Sequence, residues 1–231
     1  MFAEMAPPPM LDFPAPLSEK YRPARIAAFA GLAAVKDELA GFVTDPRDIG
    51  LLFVGGAGTG KTSMGLALAN ETRSFVYHIR SGCCTVDAVE RTAFSAHYMP
   101  PAGYKRNLIL IDEMDLASLP AQNICLSYLD GMATIPGATW VFTCNGTDRL
   151  AERFTSRCRV LPFPTYSIQA DAAELLKRVW KAETDAPCPN MAGIIKAQKG
   201  NIRAALSTLD SRLDALRAYP NTQATESEGN A

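Results

Sequence analysis

The chain is short of the groupings that build metal and redox centres. Its 231 residues include six cysteines but no C-x-x-C pair, and its two histidines, His78 and His97, stand apart. A zinc site of ordinary spacing and a C-x-x-C dithiol are therefore excluded. The adjacent Cys83 and Cys84 read as two reduced thiols rather than a redox device. Most of Cys125, Cys144, Cys158 and Cys188 read as small buried hydrophobes, a usage that fits a reducing compartment. Positive charge is not in excess either, since 23 Lys and Arg face 24 Asp and Glu. No global basic surface advertises nucleic acid, although a local patch would not show in this balance. No apolar run is long enough to span a bilayer. Met1 to Leu17 lacks a basic leader, and Pro7, Pro8, Pro9, Pro14 and Pro16 break any apolar helix there, so it is not a signal peptide. No internal repeat is present. The expectation is a soluble, cytoplasmic protein with no membrane partner, and 48% hydrophobic residues suffice for one sizeable core.

Against these absences one string stands out. Gly55-Gly56-Ala57-Gly58-Thr59-Gly60-Lys61-Thr62 fits the phosphate-loop pattern G-x-x-x-x-G-K-[ST] in full. The apolar run Leu51 to Val54 precedes it and the helix-compatible Ser63 to Asn70 follows. Strand, glycine loop and helix is the order that phosphate binding requires. Glycines let backbone N–H groups turn in around the oxygens, and the helix offers its positive end to the same anion. The residues expected to bind nucleotide here are Gly55 through Ser63. Lys61 reaches the β- and γ-phosphates, and Thr62 offers its hydroxyl to Mg²⁺.

Further strands are read at Ser74 to His78, Asn107 to Ile111, Ala138 to Cys144 and Arg159 to Leu161, beside Gly50 to Val54. Helices fall between them, at Gly60 to Asn70, Thr85 to Ala96, Leu119 to Gly131 and after Thr147. Another runs from Leu32 to Val43 and stops at Asp45-Pro46. The strands are near-continuous apolar runs, as in a parallel sheet covered on both faces. The expected fold is α/β, a phosphate-loop core with a five-stranded parallel sheet and a small C-terminal helical lid. Residues 1–17 form a proline-rich flexible arm, 18–165 the nucleotide-binding core, 166–218 the lid and 219–231 a polar disordered tail. Lid helices are read from Ala172, Leu175, Leu176 and Val179, from Met191 to Lys199, and from Ile202, Leu206, Leu209, Leu213 and Leu216.

Leu108 to Ile111 delivers Asp112 and Glu113 to the carboxyl edge of the sheet, where open α/β folds bind ligands. Asp112 is suited to Mg²⁺ and Glu113 to polarising an attacking water. Trp140 to Cys144 delivers Asn145 to the same edge. By position alone, Asn145 is equally a γ-phosphate contact and a turn former before Gly146. Arg157 lies too far along the fold to serve its own phosphate. It reads either as a solvated surface arginine or as a group projected into a neighbour's site. Arg203, in the first turn of the last helix, reads either as exposed or as able to swing onto the γ-phosphate.

Together these residues resemble the AAA+ ATPases, and among them the small subunits of clamp loaders of the replication factor C type. Glu19-Lys20-Tyr21-Arg22-Pro23 matches their E-K-Y-R-P box, and Asp112-Glu113-Met114-Asp115 is similar to D-E-A-D with Met for Ala. Thr143-Cys144-Asn145 resembles A-C-N, Ser156-Arg157-Cys158 matches S-R-C, and Gly200-Asn201-Ile202-Arg203 resembles G-D-h-R with Asn for Asp. The resemblance runs in order from Ser18 to Leu216. It implies ATP and Mg²⁺ as ligands, catalytic roles for Lys61, Glu113, Asn145 and Arg203, Arg157 acting in trans, and Tyr21 and Pro23 near the adenine. It also implies a homo- or hetero-oligomeric ring with DNA or a sliding clamp as partner. Arg80-Ser81-Gly82-Cys83-Cys84 departs from the family's N-A-S-D, Ala30-Gly31-Leu32 from its V-G-Q, and the C-terminal collar is not expected in this chain. The function implied is ATP hydrolysis coupled to assembly, in DNA replication or maintenance. The competing expectations are a protein remodeller, for which Tyr104 is the nearest exposed aromatic, and a binding switch with negligible hydrolysis.

Overall fold

A computed structural model describes residues 15–131, 134–166 and 168–218. Five strands, β1 (Gly50–Gly55), β2 (Ser74–Ile79), β3 (Arg106–Ile111), β4 (Ala138–Cys144) and β5 (Cys158–Phe163), form one sheet in the order β2-β3-β4-β1-β5. Every pairing is parallel. Alternate residues of each strand face opposite sides, as the pleat requires. Leu51, Phe53, Leu108, Leu110 and Val141 pack beneath α2 (Ala33–Thr44) and α3 (Lys61–Glu71). Leu52, Ile109, Ile111, Trp140 and Phe142 pack on the other side with α4 (Val86–Ala96) and α5 (Leu119–Leu129). This is the doubly covered parallel sheet expected from the apolar runs.

β5 extends past the expected Arg159 to Leu161 and runs through Pro162. A proline lacks the ladder N–H, but β5 is an edge strand paired only to β1, so its free side tolerates the loss. A single helical turn, α1 (Leu17–Lys20), precedes the core, and α6 (Glu152–Thr155) leads into β5. The lid comprises α7 (Gln169–Glu183), α8 (Met191–Ala197) and α9 (Ile202–Ala218), joined by a third apolar cluster that includes Leu176, Trp180, Ile195 and Leu209. Leu17 belongs to this lid cluster, and its backbone N–H donates to the Asp210 carboxylate of α9 at 3.1 Å. Most of the proline-rich arm and all of the polar tail expected over 219–231 lie outside the described residues. Among the described residues no helix is long and apolar enough to cross a membrane.

Some helix starts are closed by side chains and others, α3 among them, are not. Side chains of Thr85, Ser118, Asn190 and Asn201 accept from the first-turn amides of α4, α5, α8 and α9. α3 begins instead at Gly60, in the left-handed region at φ 93°, with no side-chain cap. Its leading N–H groups are left for an outside acceptor.

Candidate functional site

The carboxyl ends of β1, β3 and β4 meet in front of this uncapped helix. The loop from Gly55 to Gly60 can exist only with glycine at its tight points. A Cβ on Gly55 would stand 2.3 Å from the Phe163 carbonyl oxygen, and one on Gly58, where φ is 73°, would stand 1.8 Å from Asn201 Oδ1. Thr59 ties the loop to itself by donating to the Gly56 carbonyl at 2.9 Å. Lys61 is buried, and its ammonium donates to the carbonyls of Gly55 (2.6 Å) and Gly56 (2.9 Å) and to Asn145 Oδ1 (3.2 Å). Burial lowers its pKa, against the opposing pull of nearby Cys144, Asp115, Glu113 and Asp112. An anion seated against Lys61 would favour its charged form.

Asp112 is the most heavily bonded carboxylate of the site. Its Oδ1 accepts from the hydroxyls of Thr62 (2.7 Å) and Thr143 (3.0 Å), and its Oδ2 lies 2.7 Å from His78 Nε2. Burial pushes its pKa up, but the bonds from His78, Thr62 and Thr143 together outweigh this and hold it below the usual carboxylate value. Glu113 follows in the left-handed region, at φ 54°. A non-glycine residue held there costs about 1–3 kcal/mol, and such conformations persist where the surroundings over-determine them. Here the Glu113 N–H donates to Thr143 Oγ1 at 3.0 Å, and the Ser81 hydroxyl donates to the Glu113 carboxylate.

These contacts test whether the residues fit a nucleotide and its metal. An uncapped helix start, a glycine cradle, a buried ammonium and a hydroxyl–carboxylate pair at 2.7 Å supply the donors and the hard oxygen ligands such a group needs. They fit.

Beside the loop a cleft opens between core and lid, lined by Tyr21, Pro23, Gly58, Ser63, Leu175 and Arg203. Its lid wall touches the phosphate loop directly, because the Ile202 N–H donates to the Gly58 carbonyl at 3.2 Å. The Tyr21 hydroxyl turns to the lid and donates to Glu183 at 2.6 Å, beside Lys20 Nζ, also at 2.6 Å. The bond to Glu183, then burial and the Glu183 charge, raise the Tyr21 pKa to about 12.

The structure thus brings Lys61, Thr62, Asp112, Glu113 and Asn145 to one sheet edge, and sets Tyr21, Pro23 and Arg203 around the adjoining cleft. Arg157 is elsewhere. Cys158 pairs with Gly50 at the start of β1, whereas Phe163 pairs with Gly55 at the loop. Arg157 therefore sits at the opposite, amino edge, roughly 16 Å along the strand from the loop. It is half exposed there and bonded to Asp130 at 2.6 Å. Four contributors were missed in the sequence: His78, Ser81, Thr143 and Asn201. His78 carried a usable signal, since β2 adjoins β3 and its end reaches Asp112. Asn201 stands in the Gly200-Asn201-Ile202-Arg203 string without being singled out, and Ser81 lies in a loop whose path no local pattern specifies.

Residues 51–165 match the AAA family, the ATPase family associated with various cellular activities. A replication factor C small subunit of Methanoregula boonei is 25% identical over 198 residues, covering 83% of this chain and 61% of that relative. A probable replication factor C subunit 2 of Dictyostelium discoideum is 28% identical over 211 residues, covering 87% and 61%. The chain thus spans about three fifths of the length of these relatives. Among solved structures, a mutant of Thermotoga maritima RuvB superposes with a TM-score of 0.73 at 17% identity, over 87% of this chain and 68% of that one. The RuvB Holliday junction branch migration motor of the same organism superposes with a TM-score of 0.67 at 18% identity, over 87% and 67%. At these identities the likeness is one of fold.

Proposed function

We propose, from the premise that residues 51–165 form an AAA-family ATPase domain, that this chain binds and hydrolyses ATP and that hydrolysis governs its assembly with other AAA+ subunits on DNA. The observation that carries this reading is the split of the catalytic set between two edges of one sheet. Lys61, Asp112, Glu113 and Asn145 gather at one edge, while Arg157 stands at the other, half exposed and paired with Asp130.

ATP lies in the cleft with its phosphates on the Gly55–Gly60 loop and its base toward Tyr21 and Pro23. Lys61 exchanges its bonds to the Gly55 and Gly56 carbonyls for phosphate oxygens and stays within reach of Asn145. Thr62 and Asp112 are the residues that would hold Mg²⁺, which when bound neutralises phosphate charge. Glu113 accepts the proton of the attacking water. To do so it gives up the Ser81 hydroxyl, so the β2–α4 loop holds Glu113 in reserve. Arg203 reports the phosphate state to the lid. Arg157 of a neighbouring subunit adds a further positive charge to this edge, beside Lys61. The resemblance to replication factor C small subunits supports clamp-loader-like work in DNA replication or maintenance.

The test is ATP turnover per subunit across protein concentration, with and without primed DNA. Turnover that rises with both supports the reading. Turnover that rises with neither, in a preparation that binds ATP, overturns it. The Ser81–Glu113 bond favours a second reading, a nucleotide-binding switch with negligible hydrolysis. Equal function of Glu113→Gln and wild type would establish that one. No comparable observation favours a remodeller, because Tyr104 packs edge-on against Phe75 at the sheet margin, with ring centroids 5.3 Å apart.

A further inference from the structure

The segment that opens the described chain belongs to the lid before it belongs to the core. Leu17 is buried in the lid's apolar cluster, and Tyr21 packs against the same cluster. Beyond Tyr21 the attachment changes. The Ala24 carbonyl accepts from Asn70 Nδ2 at 3.1 Å, the Ile26 N–H donates to Glu71 Oε1 at 2.7 Å, and Ile26 and Phe29 enter the core cluster. Asn70 and Glu71 close α3, the helix that starts at the phosphate loop. Arg22 and Pro23 therefore pass from lid to core, and together with Tyr21 they line the cleft. Tyr21 stands at the lid end of this strap, and one carboxylate holds it there. Glu183, the last residue of α7, has a side chain only 8% exposed. It accepts from the Tyr21 hydroxyl and from Lys20 Nζ, each at 2.6 Å, and Arg217 of α9 lies 3.7 Å from its other oxygen. Lys20 Nζ also stands over the Tyr21 ring, 5.6 Å from its centre. A tyrosine ring turns about two side-chain torsions, so a pinned hydroxyl and a covered face fix its orientation. Glu183 itself does not line the cleft, so it can act on a ligand there only through Tyr21.

We propose that Glu183 is a positioning residue for recognition of the nucleoside end of the nucleotide. The phosphates occupy the Gly55–Gly60 loop, the rest of the ligand extends into the adjoining cleft, and the Tyr21 ring that walls this cleft is set by Glu183. A wall already ordered meets the nucleoside without the entropy loss of ordering a free ring on binding. Without the Glu183 bond the ring is released. Affinity that depends on the nucleoside then falls, while phosphate binding on the loop stays. The proposal rests on the reading of the cleft as the nucleotide site.

The experiment titrates the full chain calorimetrically with ATP, under EDTA to prevent turnover, and with inorganic tripolyphosphate. The ratio of the two affinities reads the nucleoside alone. In the wild type ATP should bind more tightly. Glu183→Ala should weaken ATP binding about tenfold, the scale of one lost hydrogen bond, and leave tripolyphosphate within about twofold. Tyr21→Phe keeps the ring, removes only the hydroxyl, and should show the same loss. The double variant should be no worse than either single one, because both remove the same bond. Glu183→Gln keeps an acceptor for the Tyr21 hydroxyl and should retain most of the ATP affinity. Equal loss for both ligands in Glu183→Ala overturns the proposal. So do additive losses in the double variant, a Glu183→Gln as weak as Glu183→Ala, or unchanged ATP affinity in Tyr21→Phe. Tyr21→Phe leaves Glu183 with Lys20 and Arg217, so it decides the matter should the lid of Glu183→Ala fail to fold. A wild type that binds both ligands equally overturns the positioning role and leaves the phosphate-loop reading standing. A wild type that binds neither overturns the nucleotide reading itself, and this proposal with it.

Discussion

The groups assigned to the site at the two ends of the sheet are held on opposite principles. At the carboxyl edge the polar groups answer one another within the chain. Lys61 is held by two carbonyls and Asn145, while Asp112 is held by two hydroxyls and an imidazole, and Glu113 by Thr143 and Ser81. At the amino edge Arg157 is half exposed and has a single surface carboxylate, Asp130, beside it. The first arrangement stores position. Its buried anchor, Thr143, stays put because leaving the groups it bonds unpaired would cost about 1–3 kcal/mol. The second stores availability, because an exposed ion pair is worth less than about 1 kcal/mol and breaks readily. A site that is rigid on one side and supplied with a loosely held cation on the other is suited to being completed by a second copy of the same fold.

The largest test of this contrast is Arg157→Ala. If Arg157 works in a neighbour's site, turnover at high protein concentration should fall by about 10³-fold, the scale of a lost arginine finger. Nucleotide affinity of the dilute chain should not change. Arg157→Lys should not rescue it, since an ammonium lacks the planar fork. Mixing Arg157→Ala with Glu113→Gln should restore part of the turnover, because some contacts then pair an intact Arg157 with an intact Glu113. Failure of the mixture to recover, or loss of nucleotide binding in the dilute chain, would place Arg157 in its own subunit's site and end the contrast.

A smaller effect sharpens the other end. Thr143 is buried, donates to Asp112 and accepts from the Glu113 amide. Thr143→Val keeps the volume but removes one of three bonds to Asp112 and orphans the Glu113 amide, and denaturant titration should show a loss of about 1–3 kcal/mol. Turnover should drop as well, because the left-handed turn at Glu113 loses its anchor. A stability change near zero would mean that the network positions nothing.

Much of this contrast was legible in the sequence, and the part that was not has a common cause. The phosphate loop, Asp112-Glu113 and Asn145 are short strings at the ends of apolar runs, and local order alone places them at one edge. Even the remoteness of Arg157 followed from chain order. What stayed hidden depends on which elements are neighbours. His78 reaches Asp112 because β2 lies beside β3. Asn201 crowds Gly58 because the lid folds back onto the loop. The E-K-Y-R-P string marked Tyr21 as near a base but not that its hydroxyl belongs to the lid through Glu183.

The smallest effect is the most discriminating. Among the described residues the Asp130 side chain bonds only to Arg157, in a contact between two half-exposed side chains. Asp130→Ala should therefore change unfolding stability by less than about 1 kcal/mol, and leave nucleotide affinity of the dilute chain as it was. Turnover at high concentration should shift by no more than a few-fold. The shift should be upward, because an Arg157 without its surface partner no longer has to break that pair before entering a neighbour's site. Stopped-assay turnover measured across concentration, beside Arg157→Ala, separates the two possibilities for this edge. If Asp130→Ala were as damaging as Arg157→Ala, Asp130 would be aiming the guanidinium at the interface, and the amino edge would be as preorganised as the carboxyl edge.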